Sequence, residues 1–258
     1  MLRLAANLSF LFTELDFLDR FEAAAEAGFK GVEFLFPYAY PADEIRARLD
    51  ANGLEMVLFN LAPGHWDKGE RGYTAIPGRD DEFAGAVGLA LRYAEALGCR
   101  RLHAMAGLSM HGADRATYLD RLKLAADWAA PDGVGILIEP INTRDMPGYF
   151  LNHTGEAAAV IAETGRANIG LQLDLYHRHI MEGDVAGALR QYAPITRHIQ
   201  VASPPDRGEP GHGEIDYRPV FEAIDELGYE GWIGCEYKPR RGTREGLSWR
   251  ERCGAAPS

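Results

Sequence analysis

The sequence predicts an α/β fold, a single (β/α)8 barrel of the TIM-barrel type, over its 258 residues. Short apolar segments alternate with longer amphipathic ones, the alternation repeats eight times, and no linker-like stretch interrupts it. Strand alternating with helix implies a parallel sheet, and eight repeats in about 250 residues fit a closed barrel. We therefore expect one domain over 1–258, with a short C-terminal tail at about 252–258.

The apolar segments predict eight strands, at 2–12, 31–36, 54–61, 100–107, 134–142, 169–177, 195–203 and 232–239. The segments between them carry apolar residues at helical spacing and predict helices at 16–29, 42–53, 81–98, 115–130, 154–165, 184–193 and 217–228, with a short one from about Arg244. An open doubly wound sheet is the alternative. It usually has fewer strands, and no Gly-x-Gly-x-x-Gly turn follows the first strand here.

Charge and cysteine content narrow the function classes. A net charge of −11 opposes general affinity for nucleic acid or anionic membranes, but a small anionic substrate needs only one local Arg or Lys. Cys99, Cys235 and Cys253 lack metal-type spacing, and their odd number argues against a disulfide framework. No apolar run reaches the ~20 residues of a membrane span, and the N-terminus lacks a clear signal-peptide pattern. These observations predict a cytoplasmic protein.

Side-chain alternation along the strands brings polar groups to one end of the barrel. In 169–177, Leu171, Leu173 and Leu175 suit the helices, so Asp174 faces the barrel axis together with Gly170, Gln172 and Tyr176. The same parity directs one oxygen-bearing side chain inward near the end of each of three neighbouring strands: Glu139, Gln200 and Glu236. Active sites of such barrels lie at this C-terminal end.

Converging carboxylates in a partly buried space repel one another unless a cation compensates. Three carboxylates and an amide oxygen suit Mg²⁺ or Mn²⁺ better than Zn²⁺ or copper. The sequence therefore predicts one divalent metal ion, Mg²⁺ or Mn²⁺, bound by Glu139, Asp174, Gln200 and Glu236. The alternative is that these side chains pair with inward Lys and Arg residues.

Seven stretches carry a family resemblance: ANLSFLF (6–12), GFKGVEFLFPY (28–38), KGERGYTAIPGR (68–79), LIEPIN (137–142), QLDLYH (172–177), HIQVASPPDRGEPGHGEIDY (198–217) and GWIGCEYKP (231–239). With them the chain resembles the hydroxypyruvate isomerase family, within the larger group of xylose-isomerase-like barrels. The related sugar epimerases bind one metal through Glu, Asp, His and Glu on the same four strands. Gln200 stands where they have His, and Gln is usual in the isomerase branch.

The resemblance implies that Glu139 and Glu236 are the catalytic acid–base pair, on opposite faces of a small anionic 2-oxo or hydroxy acid. It implies an aldose–ketose type isomerase that interconverts hydroxypyruvate and 2-hydroxy-3-oxopropanoate (tartronate semialdehyde) by proton transfer through an enediolate. A 2-oxo-tetronate isomerase or a ketose 3-epimerase of the same barrel group is the alternative. The family often pairs, which implies a homodimer or a higher homo-oligomer.

Five further residues are candidates for substrate binding. His177 and Asp145 match positions that contact substrate in the epimerases, although the residues before Asp145 differ. Arg207 could hold the substrate carboxylate in a bidentate manner, and Arg71 and Lys238 are rivals for that role. Glu33 is expected to point inward near the metal ligands. The remaining histidines, including His103 and His198, are interpreted as structural.

Two other functions are compatible with the barrel. A zinc-dependent abasic-site endonuclease would need a His-rich multi-zinc site and a basic DNA-binding face, which the negative charge and the oxygen ligands oppose. A catalytically silent binding protein would not need both Glu139 and Glu236.

Overall fold

The computed structural model describes residues 2–255, in which eight parallel strands close into a barrel in sequence order. Each strand pairs with its sequence neighbours, and the eighth strand pairs with the first. The strands are β1 Arg3–Asn7, β2 Gly31–Glu33, β3 Glu55–Asn60, β4 Arg101–His103, β5 Gly135–Ile138, β6 Ile169–Asp174, β7 Thr196–Val201 and β8 Trp232–Cys235. The predicted (β/α)8 barrel is confirmed.

Helices surround the barrel, and the main apolar core fills the space between the two layers. They are α1 Arg20–Glu26, α2 Ala42–Asn52, α3 Asp80–Leu97, α4 Arg115–Ala129, α5 Thr154–Thr164, α6 Leu175–Glu182, α7 Val185–Tyr192, α8 Tyr217–Glu226, α9 Thr243–Gly246 and α10 Trp249–Arg252. Gly53 and Gly98 end α2 and α3 in the left-handed conformation that glycine adopts most readily. Within residues 2–255, no helix has both the length and the apolar composition needed to cross a membrane.

The sixth strand differs from its predicted extent. β6 ends at Asp174, and α6 begins at the next residue instead of leaving a loop. The cause is the Asp174 side chain, whose Oδ1 accepts hydrogen bonds from the backbone N–H groups of Tyr176 (2.7 Å) and His177 (3.4 Å) and so caps the helix. The prediction that Tyr176 points inward from a strand is therefore wrong, since Tyr176 lies in the first turn of α6.

The N-terminal end of the barrel, where the strands begin, is closed by apolar packing. Its interior apolar cluster consists of Ala5, Val57, Leu58, Leu137 and Trp232. Trp232 Nε1 donates to Glu55 Oε1 at 2.9 Å, and the Arg3 guanidinium lies 4.0 Å from the Trp232 ring. Polar side chains are therefore concentrated at the opposite end.

The C-terminal segment packs against the barrel as far as it is described. The predicted tail at 252–258 begins at the last residue of α10, and Cys253 and Ala255 are buried. Residues 256–258 lie outside the described residues.

Candidate active site

The four predicted metal ligands meet at the C-terminal end of the barrel. Asp174 pairs in register with Gln200, and Gln200 pairs with Gly234, so adjacent strands end at the same level. Glu139 directly follows β5, and Glu236 directly follows β8. All four side chains are buried, with exposures of 1–6%. The four side chains therefore converge as strand parity predicts, and their role as metal ligands stays a prediction.

Asp174 has two different environments at its two carboxylate oxygens. Oδ1 caps α6, as described above, whereas Oδ2 lies 3.4 Å from Arg207 Nη2 and 3.6 Å from His177 Nε2. Because Oδ1 is held by the backbone, Oδ2 is fixed in position and faces the centre of the site.

Glu236 is held by a buried network beneath the site. Gln200 Nε2 donates to Glu236 Oε2 (2.6 Å) and to Glu33 Oε1 (2.8 Å), and Asn7 Nδ2 donates to the same two oxygens at 2.9 and 3.0 Å. His198 Nε2 lies 2.6 Å from Glu33 Oε2. A Cβ on Gly234 would lie 2.3 Å from the Glu33 carboxylate, so glycine is required at this position. Glu33 thus lies next to the proposed ligands, as expected, and His198 is its partner.

The amide of Gln200 points its nitrogen, and not its oxygen, towards the carboxylates. Its Oε1 accepts a hydrogen bond from Gln172 Nε2 at 2.7 Å. Gln200 could bind a cation through that oxygen only after its amide turned away from Glu33 and Glu236. In this conformation Gln200 acts as a donor that positions Glu236.

Arg207 is the cation at the centre of the carboxylates. Its Nη2 donates to Glu236 Oε1 and lies 3.4 Å from Asp174 Oδ2. The guanidinium lies between the rings of Phe10 (4.9 Å) and Tyr176 (5.1 Å). The backbone of Arg207 adopts φ of 57°, a left-handed conformation that is uncommon for a non-glycine residue. The loop after β7 therefore directs this side chain into the site.

The protonation of His177 follows from its neighbour Asn142. Asn142 Oδ1 accepts from the Asp145 backbone N–H at 2.7 Å, which turns Asn142 Nδ2 towards His177 Nδ1 at 2.6 Å. Nδ1 is consequently an acceptor, and the proton of the neutral ring lies on Nε2. Nε2 faces Asp174 Oδ2 at 3.6 Å and Glu139 Oε1 at 3.8 Å. In this tautomer His177 offers a hydrogen-bond donor to the site.

Burial and mutual repulsion raise the pKa of each acid in the cluster. Burial, followed by the charges of Glu236 and Asp174, raises the pKa of Glu139 well above its ordinary value. Burial also raises the pKa of Asp174, against the opposing effect of Arg207. Burial raises the pKa of Glu236 to about 8, with Arg207 again opposing the shift. One guanidinium therefore does not offset the three acids.

A cavity of about 350 Å³ opens above these groups. The five predicted substrate-binding residues all line it: Asp145, His177, Arg207, Arg71 and Lys238. Asp145 accepts from the Tyr176 hydroxyl at 2.8 Å, and Arg71 lies 3.8 Å from the Trp66 ring. Lys238 is exposed at the edge of the site. The basic side chains thus differ in depth, with Arg207 the innermost.

The cavity also contains buried polar atoms that have no hydrogen-bond partner among residues 2–255. Both ring nitrogens of His103, Glu139 Oε1, Gln172 Oε1 and Arg207 Nε belong to this group, and all four residues line the cavity. Leaving a buried polar group unpaired costs about 1–3 kcal/mol. These atoms indicate a place built for a ligand with several polar groups.

A cation could be held at the same place. Ligand atoms of Glu139, Asp174 and His177 lie within 4.8 Å of one another. Within residues 2–255, this is the group of His, Cys, Asp and Glu side chains whose spacing could hold a metal ion. The sequence interpretation placed Gln172 inward but gave it no role, and it missed the inward roles of His103 and Asn142. Strand parity could have found His103, which lies on β4.

Comparison with known proteins agrees with this architecture. The sequence profile of the family described as xylose isomerase-like TIM barrel matches residues 21–253. A protein of Cupriavidus necator named 2-oxo-tetronate isomerase is 56% identical over 96% of this chain and 97% of its own length. A protein of Escherichia coli named hydroxypyruvate isomerase is 46% identical over 96% of this chain and 98% of its own length.

A solved structure from Brucella melitensis, described as an AP endonuclease of family 2, superposes with a TM-score of 0.95 at 49% identity. The match covers 98% of this chain and 99% of that one. The profile match and the full-length relatives lead to the same assignment, and this chain belongs to the xylose isomerase-like TIM barrel family.

Proposed function

We propose that this protein is an isomerase that interconverts hydroxypyruvate and 2-hydroxy-3-oxopropanoate with the help of one divalent metal ion. The observation that carries the proposal is the set of three buried carboxylates, Glu139, Asp174 and Glu236, beside a cavity lined with unpartnered polar atoms. The names of two relatives, at 46% and 56% identity over nearly the full length, support the same reaction class.

The residues present fit a hard divalent cation. The Arg207 guanidinium contacts two of the three acids, Asp174 and Glu236, and Glu139 Oε1 has no hydrogen-bond partner within residues 2–255. Glu139, Asp174 and Glu236 would hold the ion, with Gln200 as the proposed fourth ligand through its amide oxygen. Mg²⁺ or Mn²⁺ suits oxygen donors of this kind. When bound, such an ion polarises the substrate carbonyl and lowers the cost of removing a neighbouring proton.

The two glutamates divide the proton transfer between them in this proposal. Glu139 takes the proton from the hydroxymethyl carbon of hydroxypyruvate through the carboxylate oxygen that does not hold the ion. The electron pair of that C–H bond then becomes part of the enediolate. Glu236 can return a proton to the adjacent carbon, and the hydroxyl proton of the first carbon passes to the former carbonyl oxygen.

The surrounding residues bind and orient the substrate. The His177 Nε2–H can donate to a substrate oxygen, in the tautomer that Asn142 imposes. Arg207 is the innermost basic group and is the proposed partner of the substrate carboxylate, with Lys238 and Arg71 further out. Asp145, held by Tyr176 and Asn142, is the proposed contact for a substrate hydroxyl.

A 2-oxo-tetronate isomerase is the second candidate. The relative of that name shares 56% identity with this chain, compared with 46% for the hydroxypyruvate isomerase. The two reactions share the same proton transfer, and the substrates differ in chain length. The cavity of about 350 Å³ is large enough for either acid.

The endonuclease description of the Brucella melitensis structure is less compatible with this site. The candidate metal group in residues 2–255 contains two carboxylates and one histidine, and not the His-rich set that a multi-zinc centre would use. The net charge of −11 also opposes DNA binding.

The test is isomerisation of hydroxypyruvate in heavy water, followed by proton NMR. Metal-stripped protein should give no product, whereas protein with Mn²⁺ or Mg²⁺ should give tartronate semialdehyde that carries solvent deuterium. Glu139→Gln is the matched control and should abolish both product and deuterium uptake. Absence of product from metal-loaded wild type would overturn the hydroxypyruvate proposal, and the same assay with 2-oxo-tetronate would then test the second candidate.

A further inference from the structure

His103 is the last residue of β4 and lies inside the barrel. Its exposure is 1%, and neither ring nitrogen has a hydrogen-bond partner among the described residues. Two other buried histidines of the barrel have at least one paired ring nitrogen: His177 Nδ1 pairs with Asn142 and His198 Nε2 pairs with Glu33, although His198 Nδ1 lacks a partner among the described residues. His103 is therefore unusual among these three, because an apolar residue would avoid the cost of its unpaired nitrogens.

The position of His103 relative to Glu139 is informative. His103 Nδ1 lies 3.5 Å from Glu139 Oε2, too long for a good hydrogen bond but close enough for one small ligand to contact both side chains. Both residues line the same cavity. A substrate carbon that delivers its proton to Glu139 would therefore place an adjacent oxygen within reach of the imidazole.

The chemistry of a neutral imidazole suits such an oxygen. In its neutral form the buried His103 ring carries one N–H donor. A donor that points at the atom where negative charge develops stabilises the transition state more than the ground state. By contrast, His177 Nδ1 is paired with Asn142, and His177 Nε2 lies 3.6 Å from Asp174 Oδ2 and 3.8 Å from Glu139 Oε1, too far for a hydrogen bond to either oxygen.

We propose that His103 is a further catalytic residue, which donates a hydrogen bond to the substrate oxygen that gains negative charge when Glu139 removes the proton from the neighbouring carbon. The ring transfers no proton in this step. The proton moves to Glu139, and the electron pair of the C–H bond moves into the enediolate. The inference rests on the proposed function and adds to it a specific residue for the 2-oxo or hydroxy acid substrate.

Two substitutions and one control test this role. His103→Phe keeps a ring and removes both nitrogens, whereas His103→Gln keeps an N–H donor. Tyr118→Phe is the control, because the Tyr118 hydroxyl is also buried without a partner but does not line the cavity. We expect His103→Phe to lower kcat for hydroxypyruvate by about 100-fold with a small change in KM, as for the loss of a transition-state donor.

His103→Gln should keep at least about a tenth of the wild-type kcat, and Tyr118→Phe should keep nearly all of it. The unfolding midpoint of His103→Phe should stay the same or rise, since unpaired polar atoms are removed. A kcat within about threefold of wild type for His103→Phe would overturn this proposal alone. If wild type converts neither hydroxypyruvate nor 2-oxo-tetronate, the proposed function fails, and the role of His103 fails with it.

Discussion

The two ends of the barrel interior differ in the polarity of their buried side chains. At one end, Val57, Leu137 and Trp232 belong to an apolar cluster that excludes water. At the other end, Glu139, Asp174 and Glu236 are buried together, and several neighbouring polar atoms have no partner. Such a polar arrangement is unfavourable for folding alone. The difference indicates that the apolar end stabilises the barrel, while the polar end is kept for a ligand.

The largest expected effect is the loss of activity on substitution of the two glutamates at the polar end. Glu139→Gln and Glu236→Gln keep the size of each side chain but remove the carboxylate that moves the proton. We expect kcat to fall by about 10³-fold in each variant, within the range for loss of a general acid or base. Initial rates with hydroxypyruvate at saturating Mn²⁺ measure this effect.

The same two variants should not lose stability. Burial raises the pKa of both acids, so an uncharged amide relieves repulsion in the cluster. Urea unfolding of the metal-free proteins provides the control. A variant that kept more than a tenth of the wild-type kcat would show that its glutamate does not move the proton.

The second effect is the loss of stability on substitution of a buried side chain at the apolar end. Val57 is fully buried in the interior apolar cluster, and Val57→Ala removes two methyl groups from it. We expect the free energy of unfolding to fall by about 2 kcal/mol, as for other small cavities in a core. The kcat should stay within about threefold of wild type. A tenfold loss of kcat without loss of stability would show that the two ends are not separate.

The sequence predicted the barrel and the inward side chains because both follow from simple periodicities. Alternation of strand and helix defined the fold, and period-two parity directed Glu139, Asp174, Gln200 and Glu236 to one end. Strand ends were less predictable, since Asp174 stops β6 by capping α6 through its own side chain. The hydrogen-bond partner of each polar atom could not be predicted from the sequence either. It depends on contacts between residues far apart in the chain, such as Asn142 with His177. An unpartnered His103 can be recognised only when those contacts are known.

Within the polar end, Arg207 and a bound cation are expected to compete for the same carboxylate oxygens. Its guanidinium contacts Asp174 and Glu236, two of the proposed metal ligands, so it competes with a cation for their oxygens. We expect Arg207→Met to tighten Mn²⁺ binding by about tenfold, or about 1.4 kcal/mol, and to weaken binding of the substrate carboxylate. Calorimetric titration of metal-stripped protein measures the first effect.

Arg71→Met is the matched control for this titration. Arg71 lines the same cavity but stacks on Trp66 instead of contacting the carboxylates, so its loss should leave Mn²⁺ affinity unchanged. Weaker Mn²⁺ binding by Arg207→Met would mean that the guanidinium helps to organise the ligands and does not compete for them.

The smallest effect is a dependence of stability on pH that the acids of the polar end should produce. Burial, together with the charges of Asp174 and Glu33, raises the pKa of Glu236 from its ordinary value of 4.5 to about 8. Between these values the folded protein binds a proton that the unfolded chain has released, so the free energy of unfolding falls as pH rises through about 8. We expect a loss of about 1 kcal/mol between pH 7 and 8.5 in metal-free protein, measured by urea unfolding.

The variant Glu236→Gln removes this carboxyl group, together with the charge that raises the pKa of Glu139. Burial lowers the pKa values of His103 and His177, and above pH 7 these rings are neutral in both the folded and the unfolded chain. The difference between wild type and Glu236→Gln over pH 7 to 8.5 therefore reports Glu236 and its effect on Glu139, and not the histidines. A parallel pH dependence in the two proteins would show that the Glu236 carboxylate is already ionised, stabilised by Arg207 alone. In that case the Arg207 guanidinium alone would offset much of the charge of the three acids, and a metal ion would be needed less at the polar end.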